Sequence, residues 1–401
     1  MDKNTNNWKE FTLGNPQEER PKRVERQKRS TKKRVLFLLV SITVVVAAVA
    51  VILLWDQSSF DGLRRSFIYA RAEKDDSGCA MLYRYDSDTS GQFTVLEGSI
   101  VSVSRSRLQV QNEKGELLVN ESLAFSHAAV VDNGRRAVVY DVGGREFYVL
   151  SDKGILWQKE NEGELLAVSV NEKNQVTVTG NLTGYKAGVC VYDEQGSPVF
   201  EFDSSQRFCV AAAASDDGRY LGILTMGRED SGFASYLVVY RMNGQEPIAT
   251  RELAGGFAYD LYWMGDCFCA VSEDGLSYVK PDGTCVAVYD YASDYLRRAA
   301  PGSGYMAVLL SRYRSGSQCG VSIVSDDGEL LAERELEGEV LSLSAAGRYI
   351  AVLYGDSLVI YNKDLECEAT LEDISEARAV VMHADGSAVL IGAESARLYL
   401  P

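Results

Sequence analysis

The stretch Val110-Gln-Asn-Glu-Lys-Gly115 decides the fold, because its pattern returns six more times, at 149–154, 191–196, 239–244, 278–283, 323–328 and 360–365. Each copy opens on Val, Tyr or Ile and closes five residues later, on Gly in six copies and on Leu365 in the seventh. Glycine at that offset is what a hairpin needs where the chain must take a positive φ. The copies recur at intervals of 39, 42, 48, 39, 45 and 37 residues, the period of a four-stranded propeller blade. A second family of turns, at Asn133-Gly134, Ser215-Asp-Asp-Gly218, Gly347 and Asp385-Gly386, sits between other apolar runs such as Arg219-Tyr-Leu-Gly-Ile-Leu-Thr225. These read as turns between the first and second strands of a blade, and the first family as turns between the third and fourth.

The pattern therefore predicts an all-β, eight-bladed β-propeller over 79–401, with seven blades as the alternative if the first segment is irregular. The expected blades are 92–124, 125–163, 164–206, 207–254, 255–293, 294–337, 338–375 and 376–400. The last holds three strands, and residues 80–86 are expected to supply its fourth, which would close the ring and remove its open edges. Such a strand runs from the tight-turn end of the ring toward the other end, so a linker preceding it enters at the tight-turn end.

Charge is divided along the chain. Residues 1–34 carry 11 Lys and Arg against 5 Asp and Glu, whereas 35–401 carry 30 against 52. An acidic domain of this kind repels phosphate backbones, so no nucleic-acid partner is expected. Residues 35–55 are 21 uncharged, mostly apolar residues; at a rise of about 1.5 Å each they span about 31 Å, enough to cross a bilayer once. Nine basic residues between Arg20 and Arg34 directly precede them, which places the N-terminus in the cytoplasm and the propeller outside. The run is longer than the apolar region of a cleaved signal peptide, so it reads as a signal anchor. The expected organisation is a disordered basic cytoplasmic tail (1–34), a transmembrane helix (35–55), a juxtamembrane linker (56–78) with helical spacing through 60–73, and the propeller (79–401).

The stretches Asp132-Asn-Gly-Arg-Arg-Ala-Val-Val139, Asp152-Lys-Gly-Ile-Leu-Trp157 and Ser215-Asp-Asp-Gly-Arg-Tyr-Leu221, with this layout of tail, span and propeller, resemble a family of uncharacterised single-span membrane proteins of clostridia and related Gram-positive bacteria, defined by a domain of unknown function. The blades are more loosely similar to quinoprotein-like and WD40-like propellers. The resemblance implies a bacterial setting; it carries no functional residues.

Residues that could perform chemistry are few. His127 and His383 are the only histidines, neither accompanied by a Gly-x-Ser-x-Gly elbow, and both are expected to be structural. The eight cysteines fall mostly on apolar strands, about one per blade, as buried thiols do. The Asp-Asp-Gly turns at 216–218 and 326–328 lack the full spacing of a calcium loop, and Gly143-Gly144 and Gly255-Gly256 read as turns. No cofactor or metal is expected. A pair of carboxylates assembled from different blades would leave no local motif, so a hydrolase could be hidden only there.

Loop length is more telling. Between the second and third strands, 180–187, 226–235 and 311–318 are long. They place Tyr185, Lys186, Phe233, Arg312, Tyr313 and Arg314 on the end opposite the tight turns, and aromatic and Arg side chains are those enriched at binding hot spots. The functional expectation is a membrane-anchored, extracytoplasmic, non-catalytic platform that binds an envelope protein or cell-wall polymer. The alternatives are a ligand sensor coupled to the tail and a carboxylate-dependent envelope hydrolase.

Overall fold

In the computed structural model, the described residues are 78–85, 91–112, 114–229 and 232–401. They form eight four-stranded antiparallel sheets. Seven are meanders of consecutive strands, over 92–122, 128–160, 165–204, 208–252, 258–290, 295–335 and 340–371. The eighth is ordered Ala379–Met382, Ala388–Ile391, Ser395–Tyr399 and then Cys79–Arg84, the first strand of the chain. Cys79 pairs with Tyr399 and Arg84 with Ser395, so this strand starts at the tight-turn end, as expected. The tail, the apolar span 35–55, the linker helix expected over 60–73 and residue 86 of the closing strand lie outside the described residues. No helix among the described residues is long and apolar enough to cross a membrane.

The core follows the ring. It divides into eight apolar clusters, each between two consecutive blades. The closing one joins Ala80, Tyr83 and Leu398 of blade 8 to Val95 and Ile100 of blade 1. Both faces of every sheet are thus covered, which is why the second and third strands read as continuous apolar runs rather than as alternating ones. Ala137–Asp141, Val176–Gly180, Cys267–Ser272 and Tyr305–Ser311 are buried throughout.

The repeated turn proves to carry two constraints. In blade 1, Gly115 N–H donates to Asn112 O at 2.8 Å and Asn112 N–H to Glu116 O at 3.1 Å, while Gly115 holds φ +74°; this is a three-residue hairpin whose last residue is left-handed. Leu365 takes the same conformation, with φ +57°, its side chain buried among Tyr361, Ile323 and Val352. The second constraint is the neighbouring blade. A Cβ on Gly196 would lie 3.0 Å from the Trp157 ring, and one on Gly328 only 2.3 Å from the Ala287 Cβ. Trp157 in turn donates its indole N–H to Glu194 O at 3.0 Å. The turn of one blade is seated on the outermost strand of the blade before it.

Side chains at this same end bond from blade to blade. Thr94 Oγ1 donates to Asp132 Oδ2 (2.5 Å), Asn133 Nδ2 to Asn171 O (2.7 Å), Asn171 Nδ2 to Ser215 O (2.8 Å) and Tyr305 Oη to Tyr349 O (3.0 Å). Tyr83 Oη donates to Gly98 O at 3.0 Å across the closing seam.

Candidate functional site

The end opposite the tight turns is built from the loops between second and third strands and from the links between blades. Tyr185 and Lys186 lie in the blade 3 loop, 181–186. That loop is tied down: Lys186 N–H donates to Ser204 O at 2.7 Å, its ammonium donates to Gln206 O at 2.6 Å, and it lies 5.3 Å from the centre of the Phe208 ring. Lys186 therefore braces blade 3 against blade 4, while Tyr185 faces solvent.

Of the segment 226–235, expected as a loop, residues 226–229 and 232–235 form a two-stranded ribbon instead. Tyr220–Glu229 and Gly232–Arg241 stay in register through Met226 with Ser235, Gly227 with Ala234, and Arg228 with Phe233. Unbroken pairing needs no turn residue before the tip, so these positions continue the ladder past the end of the inner and outer strands. Phe233 is carried on this ribbon and is 72% exposed. At its base, the Arg207 guanidinium stacks on Tyr236 at 3.8 Å.

The blade 6 loop, 312–318, is ordered by its own bonds. Arg312 N–H donates to Gln318 O (3.1 Å), Gly316 N–H to Tyr313 O (2.9 Å) and Ser311 Oγ to Tyr313 O (3.0 Å). Tyr313 is 51% exposed, and the Arg314 guanidinium lies 5.4 Å from the centre of the Tyr295 ring.

Four aromatics of this face escape a reading based on loop length, namely Phe208, Phe257, Tyr259 and Tyr295. They sit where the chain passes from one blade to the innermost strand of the next, in blades 4, 5 and 6. Tyr259 is the extra residue of a β-bulge between Ala258 and Asp260, and Arg297 that of a bulge between Leu296 and Arg298; bulges commonly re-aim a side chain next to a site. With Tyr185, Phe233 and Tyr313 these make seven exposed aromatics. Among the described residues, every exposed aromatic side chain is on this end of blades 3 to 6.

The innermost strands carry two acidic residues, Asp132 and Asp260. Desolvation pushes the Asp260 carboxyl up, whereas Asp132 is exposed. Asp260 accepts a hydrogen bond from Tyr262 Oη at 2.6 Å. Asp132 ends its strand at the tight-turn end, whereas Asp260 lies near the start of its own strand, so the two lie toward opposite ends of the ring's inner wall rather than side by side. His127 is exposed, and its backbone N–H donates to Asp141 Oδ1 at 2.6 Å. His383 is half-buried, with its Nε2 buried; its Nδ1 lies 2.9 Å from Ser387 Oγ, which donates to Asp385 Oδ1 at 2.6 Å. Ser387 is wholly buried, so this His-Ser-Asp grouping closes a turn and offers no nucleophile to solvent. Burial pushes the thiols of Cys190 and Cys209 up, to about 11 and about 12, the opposite of what a reactive cysteine needs.

With this geometry in place, comparison identifies the class. Residues 77–390 match the family of unknown function DUF5711, and the chain belongs to that family. No curated protein matches its sequence. Among solved structures it is similar to the C-terminal WD40 domain of Sif2, with a TM-score of 0.57 at 14% identity, covering 80% of this chain and 99% of that one. It is also similar to the dihydro-heme d1 dehydrogenase NirN in complex with DHE, with a TM-score of 0.51 at 13% identity, covering 77% and 69%. At these identities the likeness concerns the propeller fold alone.

Proposed function

We propose that this protein is a membrane-anchored, extracytoplasmic propeller of the bacterial envelope that works as a non-catalytic binding platform, with the loop end of blades 3 to 6 as its working face. The observation that carries the reading is the confinement of all exposed aromatics among the described residues to that end. An exposed aromatic costs solubility and buys affinity, since Tyr and Trp together with Arg dominate binding hot spots. The apolar span 35–55 behind nine basic residues supports the anchoring and the outward orientation of the ring. The first strand begins at the tight-turn end, opposite the aromatic face. The test is in vivo crosslinking followed by purification of the full-length protein from its own membranes. The parent should retain a partner that the variant Phe233→Ser, Tyr313→Ser loses while keeping its fold. Retention by both, or by neither, refutes this face as a platform.

A further inference from the structure

The first two strands of blade 6 and the loop that follows them break the charge balance of the domain. Residues 295–318 hold Arg297, Arg298, Arg312 and Arg314 and no Asp or Glu, within a stretch, 35–401, where acidic residues outnumber basic ones 52 to 30. All four arginines are exposed. Among the described residues, ion pairs join Arg135 to Glu172, Arg145 to Glu160, Arg219 to Asp217, Lys280 to Asp266 and Arg348 to Glu368. None uses these four.

Three of them are also gathered. Arg312 and Arg314 flank Tyr313 on the ordered loop, and Arg314 covers the ring of Tyr295. Arg297 packs against the same loop, for a Cβ at Gly316 would lie 3.1 Å from its guanidinium carbon. Like charges held together on a preformed loop are unfavourable in the unbound protein and are neutralised only from outside. An anionic group supplied by a partner would meet donors already in place, without paying to order them.

Resting on the platform reading above and sharpening it, we infer that the loop end of blade 6 binds a short acidic segment of a protein. Carboxylates of that segment are held in the forks of Arg312 and Arg314, and its apolar residues lie on Tyr313 and Tyr295. Two observations select this occupant. Glu273 and Asp274 in the blade 5 loop, and Glu337, Glu339 and Asp356 on the blade 7 side, flank the cluster on the same end, so a continuously charged polyanion would run onto carboxylates in either direction. Negative charge confined to a short segment fits between them. The interleaving of Tyr with Arg is the composition of protein hot spots.

The test uses the full-length protein in detergent and a short Glu-rich peptide carrying a benzophenone, with adducts mapped by mass spectrometry. Mapping matters because the basic tail can also attract the probe. Adducts within 295–318 are expected. In R312A/R314A they should disappear, with affinity at this site falling by about tenfold for each Arg. R312K/R314K should recover only part, since an ammonium lacks the fork, and K153A/K363A at the other end should change nothing. Adducts on the tail alone, equal labelling of R312A/R314A, or preferential binding of a phosphodiester polymer or of anionic lipid vesicles would overturn the inference. A native envelope partner lost from the Phe233→Ser, Tyr313→Ser variant but kept by R312A/R314A would overturn it as well, while leaving the platform reading intact.

Discussion

The closing strand is the point at which the ring is easiest to break. Cys79–Arg84 ties the beginning of the ring to its last three strands, pairing through five positions with Ser395–Tyr399, and Tyr85 extends the seam by donating its hydroxyl to Ser395 O at 2.8 Å. Its buried side chains, Cys79, Ala80 and Tyr83, are no more than 4% exposed. Tyr83→Ala should cost about 3–5 kcal/mol for the lost aromatic, and about 1 kcal/mol more for the bond to Gly98 O. Tyr83→Phe removes only the latter. Deleting residues 1–54 should leave a folded, soluble domain, whereas deleting 1–84 strips the edge of Ser395–Tyr399 and should remove at least about 5 kcal/mol, a large part of the 5–15 kcal/mol typical of a domain. Urea unfolding followed by the fluorescence of Trp157 and Trp263, with light scattering for aggregation, measures both. If the two truncations unfold at the same urea concentration, or Tyr83→Ala is no worse than Tyr83→Phe, the seam does not hold the ring.

Glycines at the same repeat offset should respond oppositely: Gly328→Ala, with φ +85° and Ala287 only 2.3 Å away, should lose more than about 2 kcal/mol, whereas Gly244→Ala, which meets nothing closer than 3.5 Å and lacks a positive φ, should lose none; urea titration separates them. Leu365→Gly relieves a left-handed residue worth about 1–2 kcal/mol but gives up a buried Leu worth about 2–5 kcal/mol, so a net loss is expected, and a gain in unfolding midpoint would show that strain outweighs packing there. Burial holds the His383 imidazole below its ordinary value of 6.5. The unfolded chain therefore binds a proton that the folded chain refuses, and stability present above about pH 6.5 should fall by up to about 1.36 kcal/mol per unit as the pH drops below it. His383→Gln should flatten that part of the profile, and identical slopes for variant and parent would count against it.

Much of the ring was legible because its period is written in turns that tolerate few residues. The blade limits, the borrowed first strand and the two turn families all follow from Gly, Asn and Asp positions, which report backbone geometry directly. What was not legible depends on neighbours. Leu365 occupies a glycine's conformation because its side chain has a buried place to go, and the glycine at 328 is required by Ala287, a residue of another blade. The ribbon at 226–229 and 232–235 was read as a loop because its polar residues hide the continued pairing. At the proposed working face, loop length pointed to Tyr185, Phe233 and Tyr313. Phe208, Phe257, Tyr259 and Tyr295 were missed because each lies at the entry to a strand, where an aromatic is unremarkable by composition. Their common position, at the entry to an innermost strand in three successive blades, was the available signal.

Repetition itself separates fold from function on this surface. The outermost strands of blades 1 to 6 each carry a bulge after the tight turn, and the extra residue is exposed and aliphatic every time: Leu118, Leu156, Val199, Ile248, Val286 and Leu331. Six exposed apolar residues could be taken for a docking belt. They recur once per blade at one register position, however, so the geometry of the turn accounts for them, and singly exposed aliphatics need no partner. The aromatics behave differently. They skip blades 1, 2, 7 and 8, arise from three structural sources (loops, a ribbon and strand entries), and coincide with the four unpaired arginines of blade 6. The bulge that exposes Tyr259 does recur, at Leu166, Val210, Arg297 and Leu341, but the repeat does not make those positions aromatic. The tight-turn end, where Asn133, Asn171 and Tyr305 are committed to bonds with the next blade, has little freedom to diversify without loosening the ring. The opposite end carries the longer loops and the ribbon, so the residues that depart from the repeat collect there.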